Sequence, residues 1–205
     1  MIGLIDYGVG NLFSLTSSFA AVGAEAEIVS TAEGLRRADR LVLPGVGAFR
    51  DAADKLRAAG LVSPLLEEVG CGKPLLGICL GMQMLFEKSY EYGCHEGLGL
   101  LSGSVAPIRD VVPRDYKIPH IGWNALKLTR PDCPLFRDLK DGDHVYFVHS
   151  YHATGCADSL AAVTEYGGEL TAAVWRGNVF GCQFHPEKSG TVGLSILKAF
   201  CGRLS

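Results

Sequence analysis

The sequence has no apolar run near the roughly 20 residues that a membrane-spanning helix needs, and its start, MIGLIDYGVGN, lacks the basic flank and cleavage pattern of a secretory signal. It has no internal repeat, no low-complexity tract and no linker-like stretch, so residues 1–205 read as a single domain. An excess of charge is also missing. Nineteen Lys and Arg face 22 Asp and Glu, for a net charge of −3, and the basic residues are scattered, which argues against a nucleic-acid surface. The seven cysteines are odd in number and include no C-x-x-C pair, which argues against a disulfide framework and a zinc site and points to a reducing cytoplasm. No metal and no cofactor is called for.

What is present is 48% hydrophobic residues and 20% charged ones, ample for one well-buried core. In the first half strands and helices alternate. Strands are expected at Ile2 to Asp6, Ala26 to Val29, Arg40 to Leu43 and Leu75 to Ile78, and helices at about 11–22, 32–37, 49–59 and 62–69. A further helix is expected over Leu80 to Lys88. Alternation of this kind indicates a mostly parallel central sheet flanked by helices, with active sites beyond the carboxyl ends of the strands. From Ser104 to about Ala173 short β-rich pieces (Val105 to Ile108, Ala125 to Leu128, His144 to Val148) suggest antiparallel strands added to that sheet. A buried strand at Val179 to Phe184 and a helix at Thr191 to Phe200 follow.

Cys79 stands on the corner between the run Leu75 to Ile78 and the next helix, with Gly77 and Gly81 two residues away on either side. This G-x-C-x-G spacing is the form of a nucleophile elbow, where close backbone crossing excludes larger side chains. A thiol at a helix N-terminus is expected to ionise more readily. A buried structural cysteine is the alternative, and a nearby base would decide between them. Phe-His-Pro-Glu at 184–187 offers one. In an extended segment His185 and Glu187 project to the same side, and the carboxylate can fix the imidazole tautomer and stabilise the imidazolium, the logic of a Cys-His-Glu triad. A chance His and Glu on a surface loop is the alternative.

LPGVGAF at 43–49 places two glycines at a strand end. It lacks the lysine of a phosphate-binding loop and the third glycine of a dinucleotide fingerprint, so an oxyanion hole suits it better. The N–H of Leu80 would be one donor and the N–H of Val46 the other.

GICLGMQ, FHPE and the Pro-Gly loop together resemble the class I (triad-type) glutamine amidotransferases, whose sheet is flavodoxin-like. DYGVGN at 6–11, LPGVGAF at 43–49, IPHIGWN at 118–124, YFVHSYH at 146–152 and QFHPEKSG at 183–190 resemble, more narrowly, the glutaminase subunits of imidazole glycerol phosphate synthase. The resemblance implies hydrolysis of L-glutamine to glutamate and ammonia. Cys79 would attack the amide, His185 would move the proton, and water would clear a glutamyl thioester. It places Gly47, Gln83, Glu91, Ser150 and Tyr151 around the substrate, Glu91 against its ammonium. It also implies a separate (β/α)₈ cyclase as the partner in a heterodimer, making imidazole glycerol phosphate and aminoimidazole carboxamide ribotide in histidine biosynthesis. Asn11, Trp123, Tyr146 and Lys188 match positions near that partner, although Trp123 and Tyr146 could equally be core aromatics. The chain stops soon after its last expected helix, so a fused cyclase is not expected. If the Gly45–Val46 peptide turned its carbonyl toward the oxyanion position, the lone subunit would be nearly inactive until its partner bound. Two rivals remain: an amidotransferase feeding another pathway, for example pyridoxal phosphate synthesis, and a redox or non-catalytic protein with an elbow cysteine.

Overall fold

The computed structural model describes residues 1–204. Strands β1 (Ile2–Ile5), β2 (Ala26–Val29), β3 (Arg40–Leu43) and β4 (Leu75–Ile78) alternate with helices α1 (Leu12–Ala21), α2 (Ala32–Arg37), α3 (Phe49–Ala58) and α4 (Val62–Gly70). A single helical turn, α5 (Leu80–Gln83), follows β4. The remainder is mostly β: β5 (Phe86–Ser89), β6 (His95–Glu96), β7 (Leu101–Pro107), β8 (His120–Ala125), β9 (Lys127–Leu128), β10 (His144–His149), β11 (Tyr151–Thr154), β12 (Leu160–Glu165), β13 (Glu169–Arg176) and β14 (Val179–Cys182), closed by helix α6 (Gly190–Cys201).

The main sheet has the order β2-β1-β3-β4-β14-β13-β12-β9. Its first five strands are parallel, and β13, β12 and β9 are added antiparallel at one side. Both faces are covered at the centre, so β1, β4 and β14 are buried along their whole length, while the edge strand β2 exposes Glu27 and Ile28. Alternate residues of β1 show this: Ile5 packs with Leu35, Phe49, Leu56 and Leu65 of α2, α3 and α4, whereas Ile2 and Leu4 pack with Leu15 and Phe19 of α1 and Ile196 and Phe200 of α6. Helix starts are set by side chains. Asn11 Oδ1 accepts the Ser14 N–H at 3.2 Å and Thr31 Oγ1 that of Gly34 at 3.1 Å, which satisfies donors the helices cannot satisfy themselves.

Two expectations need correction. The helix anticipated over Leu80 to Lys88 is one turn, after which the chain enters β5. Residues 80–86 are buried on every side, so their apolarity carries no period that separates helix from strand. Secondly, the later β-rich pieces do not all join the main sheet. β11-β7-β5-β6 form a separate four-stranded sheet and β10-β8 a two-stranded ribbon, and the piece expected at Ala125 to Leu128 is interrupted at Leu126.

Strand register fixes what meets at the carboxyl edge. Leu43 pairs with Gly77, and Ile78 with Cys182. The residues that follow each of those strands, Pro44 to Gly47, Cys79 and Gln183 to Glu187, therefore emerge side by side. The crossing is tight enough to demand glycine. A Cβ on Gly81 would lie 1.8 Å from the Leu43 carbonyl oxygen, and one on Gly77 2.7 Å from that of Gly81. Gly81→Ala is therefore expected to lower unfolding free energy by about 3 kcal/mol or more, whereas Gly70→Ala, at the open end of α4, should raise it by roughly 0.5 kcal/mol. Urea unfolding of the two variants checks this, and equal midpoints would contradict the crossing argument.

Candidate active site

Cys79 is held at φ 54°, ψ −112°, one of two non-glycine residues with positive φ among the described residues. Such a conformation costs on the order of 1–3 kcal/mol and persists only when its surroundings impose it. Here they do. The Cys79 N–H is bound to the Cys182 carbonyl at 2.7 Å, and Gln83 N–H returns to the Cys79 carbonyl at 3.2 Å. The sulfur is thereby lifted out of the sheet into a cavity of roughly 380 Å³ lined by Val46, Gly47, Leu80, Gln83, Glu91 and His185, with Pro119 and Val148 to Tyr151 on the far side. The helix behind it has one turn only, so the dipole support expected from a long helix is small.

His185 reaches the same cavity from the end of β14. Its Nδ1 lies 2.8 Å from Glu187 Oε1, both side chains being buried. Because the carboxylate only accepts, Nδ1 carries a proton and Nε2 is turned to the pocket. Nε2 has no hydrogen-bond partner, and the sulfur is aligned instead on the Val148 carbonyl at 3.9 Å. Sulfur and imidazole still feel each other. Burial by itself would lower the His185 pKa, but the Cys79 sulfur and the Glu187 carboxylate outweigh it and raise the value to about 9. The spacing works differently from expectation: His185 is extended, but Pro186–Lys188 form a 3₁₀ turn that brings the Glu187 carboxylate back to the ring.

One of the two expected oxyanion donors is engaged by the protein itself. The Leu80 N–H donates to the Gly45 carbonyl at 3.3 Å, so the position expected to hold a developing oxyanion is occupied by a carbonyl, while Val46 is 43% exposed at the pocket rim. Gly45 is pressed on the elbow, since a Cβ there would lie 2.8 Å from the Gly81 nitrogen. Gly47 has φ +92° and open space around it.

The residues assigned to the substrate all line the cavity. Gln83 is buried, its amide N–H₂ donating to the Tyr151 carbonyl at 3.0 Å and to Gln183 Oε1 at 2.9 Å. Tyr151 is half-buried, packed against the core on one side with the exposed Tyr92 ring edge-on to it. Ser150 lies at the wall, and its carbonyl accepts the Ile108 N–H at 3.0 Å. Glu91 accepts the Phe49 N–H at 2.6 Å through Oε2.

Two pocket neighbours escape sequence reasoning. Gln183 is fully buried and its Nε2 lies 3.8 Å from the Cys79 sulfur; its position two residues before His185 was the available signal. His149 also lines the pocket, but its Nδ1 faces the Tyr151 carbonyl at 2.8 Å and its Nε2 faces His120 Nδ1 at 3.0 Å. Burial pushes His149 down to about 3 and His120 to about 4. Both rings are neutral, and His149 lacks the carboxylate that distinguishes His185.

The remaining assigned residues lie outside the cavity. Trp123 is 52% exposed, edge-on to Tyr146 with ring centroids 6.1 Å apart, and Lys188 Nζ stands 5.9 Å from the Tyr146 centroid. They form a surface cluster, which removes the core-aromatic alternative for Trp123. The cluster is wired to the pocket: the His185 N–H donates to the Tyr146 carbonyl at 2.9 Å, and Ser189 Oγ bridges the Tyr146 N–H and the His185 carbonyl. Asn11 caps α1 and is exposed. The seven cysteines are all free, no described helix is long and apolar enough to cross a membrane, and no metal-holding cluster occurs among the described residues.

A family model described as glutamine amidotransferase class-I matches residues 3–203. The imidazole glycerol phosphate synthase subunit HisH of Caldanaerobacter subterraneus subsp. tengcongensis is 50% identical over 201 residues, covering 98% of this chain and 97% of that relative. HisH of Lactococcus lactis subsp. lactis is 50% identical over 200 residues, covering 97% and 96%. Among solved structures, a glutamine amidotransferase superposes with a TM-score of 0.75 at 20% identity over 98% of this chain and 99% of that one, and PurLQS from Thermotoga maritima with 0.75 at 19% over 98% and 96%, likenesses of fold.

The raised His185 value carries a sign. A histidine whose pKa rises on folding from 6.5 to about 9 stabilises the fold fully below 6.5, and that contribution is lost as pH climbs through about 9. Glu187→Gln should flatten this dependence, by on the order of 1 kcal/mol for each pKa unit removed. Unfolding free energies of both proteins across that window test it; parallel curves would rule out the charge coupling.

Proposed function

We infer the reaction from one premise: the chain belongs to the class-I glutamine amidotransferase family. It is a cysteine-nucleophile glutaminase that supplies ammonia in histidine biosynthesis, as its similarity to HisH subunits indicates. The observation that carries the reading at this chain's own residues is the His185–Glu187 pair, 2.8 Å apart, facing the same cavity as a cysteine at positive φ.

In the proposed mechanism the Cys79 sulfur attacks the side-chain amide carbon of glutamine. His185 Nε2 takes the thiol proton as the sulfur attacks, the carbonyl oxygen becomes an oxyanion, and the bond to nitrogen breaks as the same Nε2 returns that proton to the departing amide nitrogen, which leaves as ammonia. Water, deprotonated by the same nitrogen, then attacks the thioester, releasing glutamate and restoring the thiol. Glu187 keeps the ring in the required tautomer throughout. Gln83, Gly47, Ser150 and Tyr151 form the cradle of the amino acid, and Glu91, whose Oε2 is held by the Phe49 N–H, meets its ammonium through Oε1.

The partner is a barrel-type cyclase, and the finer proposal is a heterodimer in a cytoplasmic setting in which ammonia is joined to the precursor of imidazole glycerol phosphate and aminoimidazole carboxamide ribotide. Residues 1–205 act as one amidotransferase domain. Trp123, Tyr146, Lys188 and Asn11 meet the partner, an exposed aromatic pair with a flanking cation being a suitable anchor. The Gly45 carbonyl on the Leu80 N–H supports a resting state with the oxyanion hole closed; partner binding turns the Gly45–Val46 peptide and presents the Val46 N–H.

Two outcomes follow. Glutamine turnover by the lone chain should rise by at least about 10²-fold on adding the cyclase and imidazole glycerol phosphate, the range one oxyanion donor is worth, and equal rates with and without them would contradict the closed hole. Cys79→Ala should abolish glutamine use while the complex still makes product from ammonium salts; residual glutamine-dependent product would sink the assignment of Cys79.

A further inference from the structure

The segment 44–49 is held at both ends by side chains from distant parts of the sequence. At the upstream end the Tyr7 hydroxyl donates to the Pro44 carbonyl at 2.6 Å. Tyr7 is buried, does not line the cavity, and has its ring fixed beneath the loop, with the hydroxyl also 3.7 Å from Met84 Sδ. The adjoining turn presses on the same proline, since a Cβ on Gly10 would lie 2.9 Å from Pro44 Cβ. At the downstream end Phe49 is the first residue of the ten-residue helix α3, and the residue before it, Ala48, supplies no side-chain cap. An N–H there needs an outside acceptor, and Glu91 Oε2 provides it at 2.6 Å from a loop 42 residues further along the chain.

Between these two points lie only Gly45, Val46, Gly47 and Ala48. Gly45 cannot slide, because the elbow backbone stands against its Cα, and Gly47 already has the positive φ and open surroundings that let a peptide turn. The Leu80 N–H is bound to the one carbonyl in this span that a turn of the Gly45–Val46 peptide would remove.

We propose that Tyr7 and Glu91 are positioning residues for the reaction, two fixed pivots between which the Gly45–Val46 peptide rotates as a crankshaft, exchanging its carbonyl for the Val46 N–H without moving either end. This rests on the glutaminase reading above. It gives Glu91 two tasks through its two oxygens, Oε2 on the helix start and Oε1 on the substrate, so the pocket and the strand share one side chain. Fixed ends make the change a switch between two discrete states, and loosening either end spreads the strand over intermediate ones.

The test has one arm that needs turnover and one that does not. With the cyclase and imidazole glycerol phosphate present, Tyr7→Phe, which removes a single oxygen outside the cavity lining, is expected to lower kcat for glutamine about tenfold with KM unchanged. In the full chain alone, hydrogen exchange at the Phe49 amide is expected to quicken about tenfold in Glu91→Ala and to return toward the wild-type rate in Glu91→Gln, which keeps an acceptor oxygen. An unchanged kcat in Tyr7→Phe, a raised KM with kcat kept, or Phe49 exchange equal in all three proteins at position 91 would overturn the proposal. Wild-type protein that fails to hydrolyse glutamine with the cyclase present would instead overturn the reading beneath it, and the exchange arm would still decide the pivots.

Discussion

The rest of the site depends on one backbone constraint, the forced turn at Cys79. Two glycines remove the Cβ atoms that would strike the Leu43 carbonyl and the next turn of chain, and the β4–β14 register then brings Cys182 within 2.7 Å of the Cys79 N–H. With the nucleophile's main chain fixed to β14, the residues that follow β14 cannot be far from its sulfur. His185 and Glu187 thus arrive through strand pairing across about a hundred residues of sequence, and no local feature of either segment is needed to bring them together. Many small contacts overdetermine the strained dihedral, which is how positive φ at a non-glycine residue survives.

The same crossing explains the contact between Gly45 and Leu80. The Leu80 N–H sits at a buried corner, where a polar group without a partner is costly. The Gly45 carbonyl, 3.3 Å away, is the acceptor that satisfies it. Hydrogen-bond satisfaction therefore accounts for the carbonyl that stands at the Leu80 N–H. The Tyr146 backbone lies one hydrogen bond from that of His185, so the surface cluster and the pocket share a rigid main-chain link.

How much of this was legible in the sequence differs from residue to residue. The parallel half of the sheet was readable because its short strands alternate with helical segments, two of them announced by the caps Asn11 and Thr31. The elbow was readable because G-x-C-x-G states a steric requirement directly. The stretch after Gln83 was not: Met84, Leu85 and Phe86 are buried on all sides, and uniform burial erases the periodicity that separates a helix from a strand. The two smaller sheets were hidden for a related reason, since β10–β8 and β11-β7-β5-β6 are set by pairing between distant segments. Gln183 and His149 gained their places beside the sulfur and the cavity in the same way. The carbonyl-in state of Gly45 was foreseeable only as one of two alternatives, because a glycine peptide has no side chain to declare its orientation.

Covalent capture tests the central claim most directly, that the sulfur on this corner and the imidazole beside it form and clear an acyl intermediate. The complex with its cyclase would be turned over with isotopically labelled glutamine, quenched in acid and mapped by mass spectrometry after digestion. The account predicts the labelled glutamyl group on the peptide containing Cys79 and its persistence when the second, hydrolytic step is slowed. Turnover with no label on that peptide, or with label on any other of the seven cysteines, would contradict it.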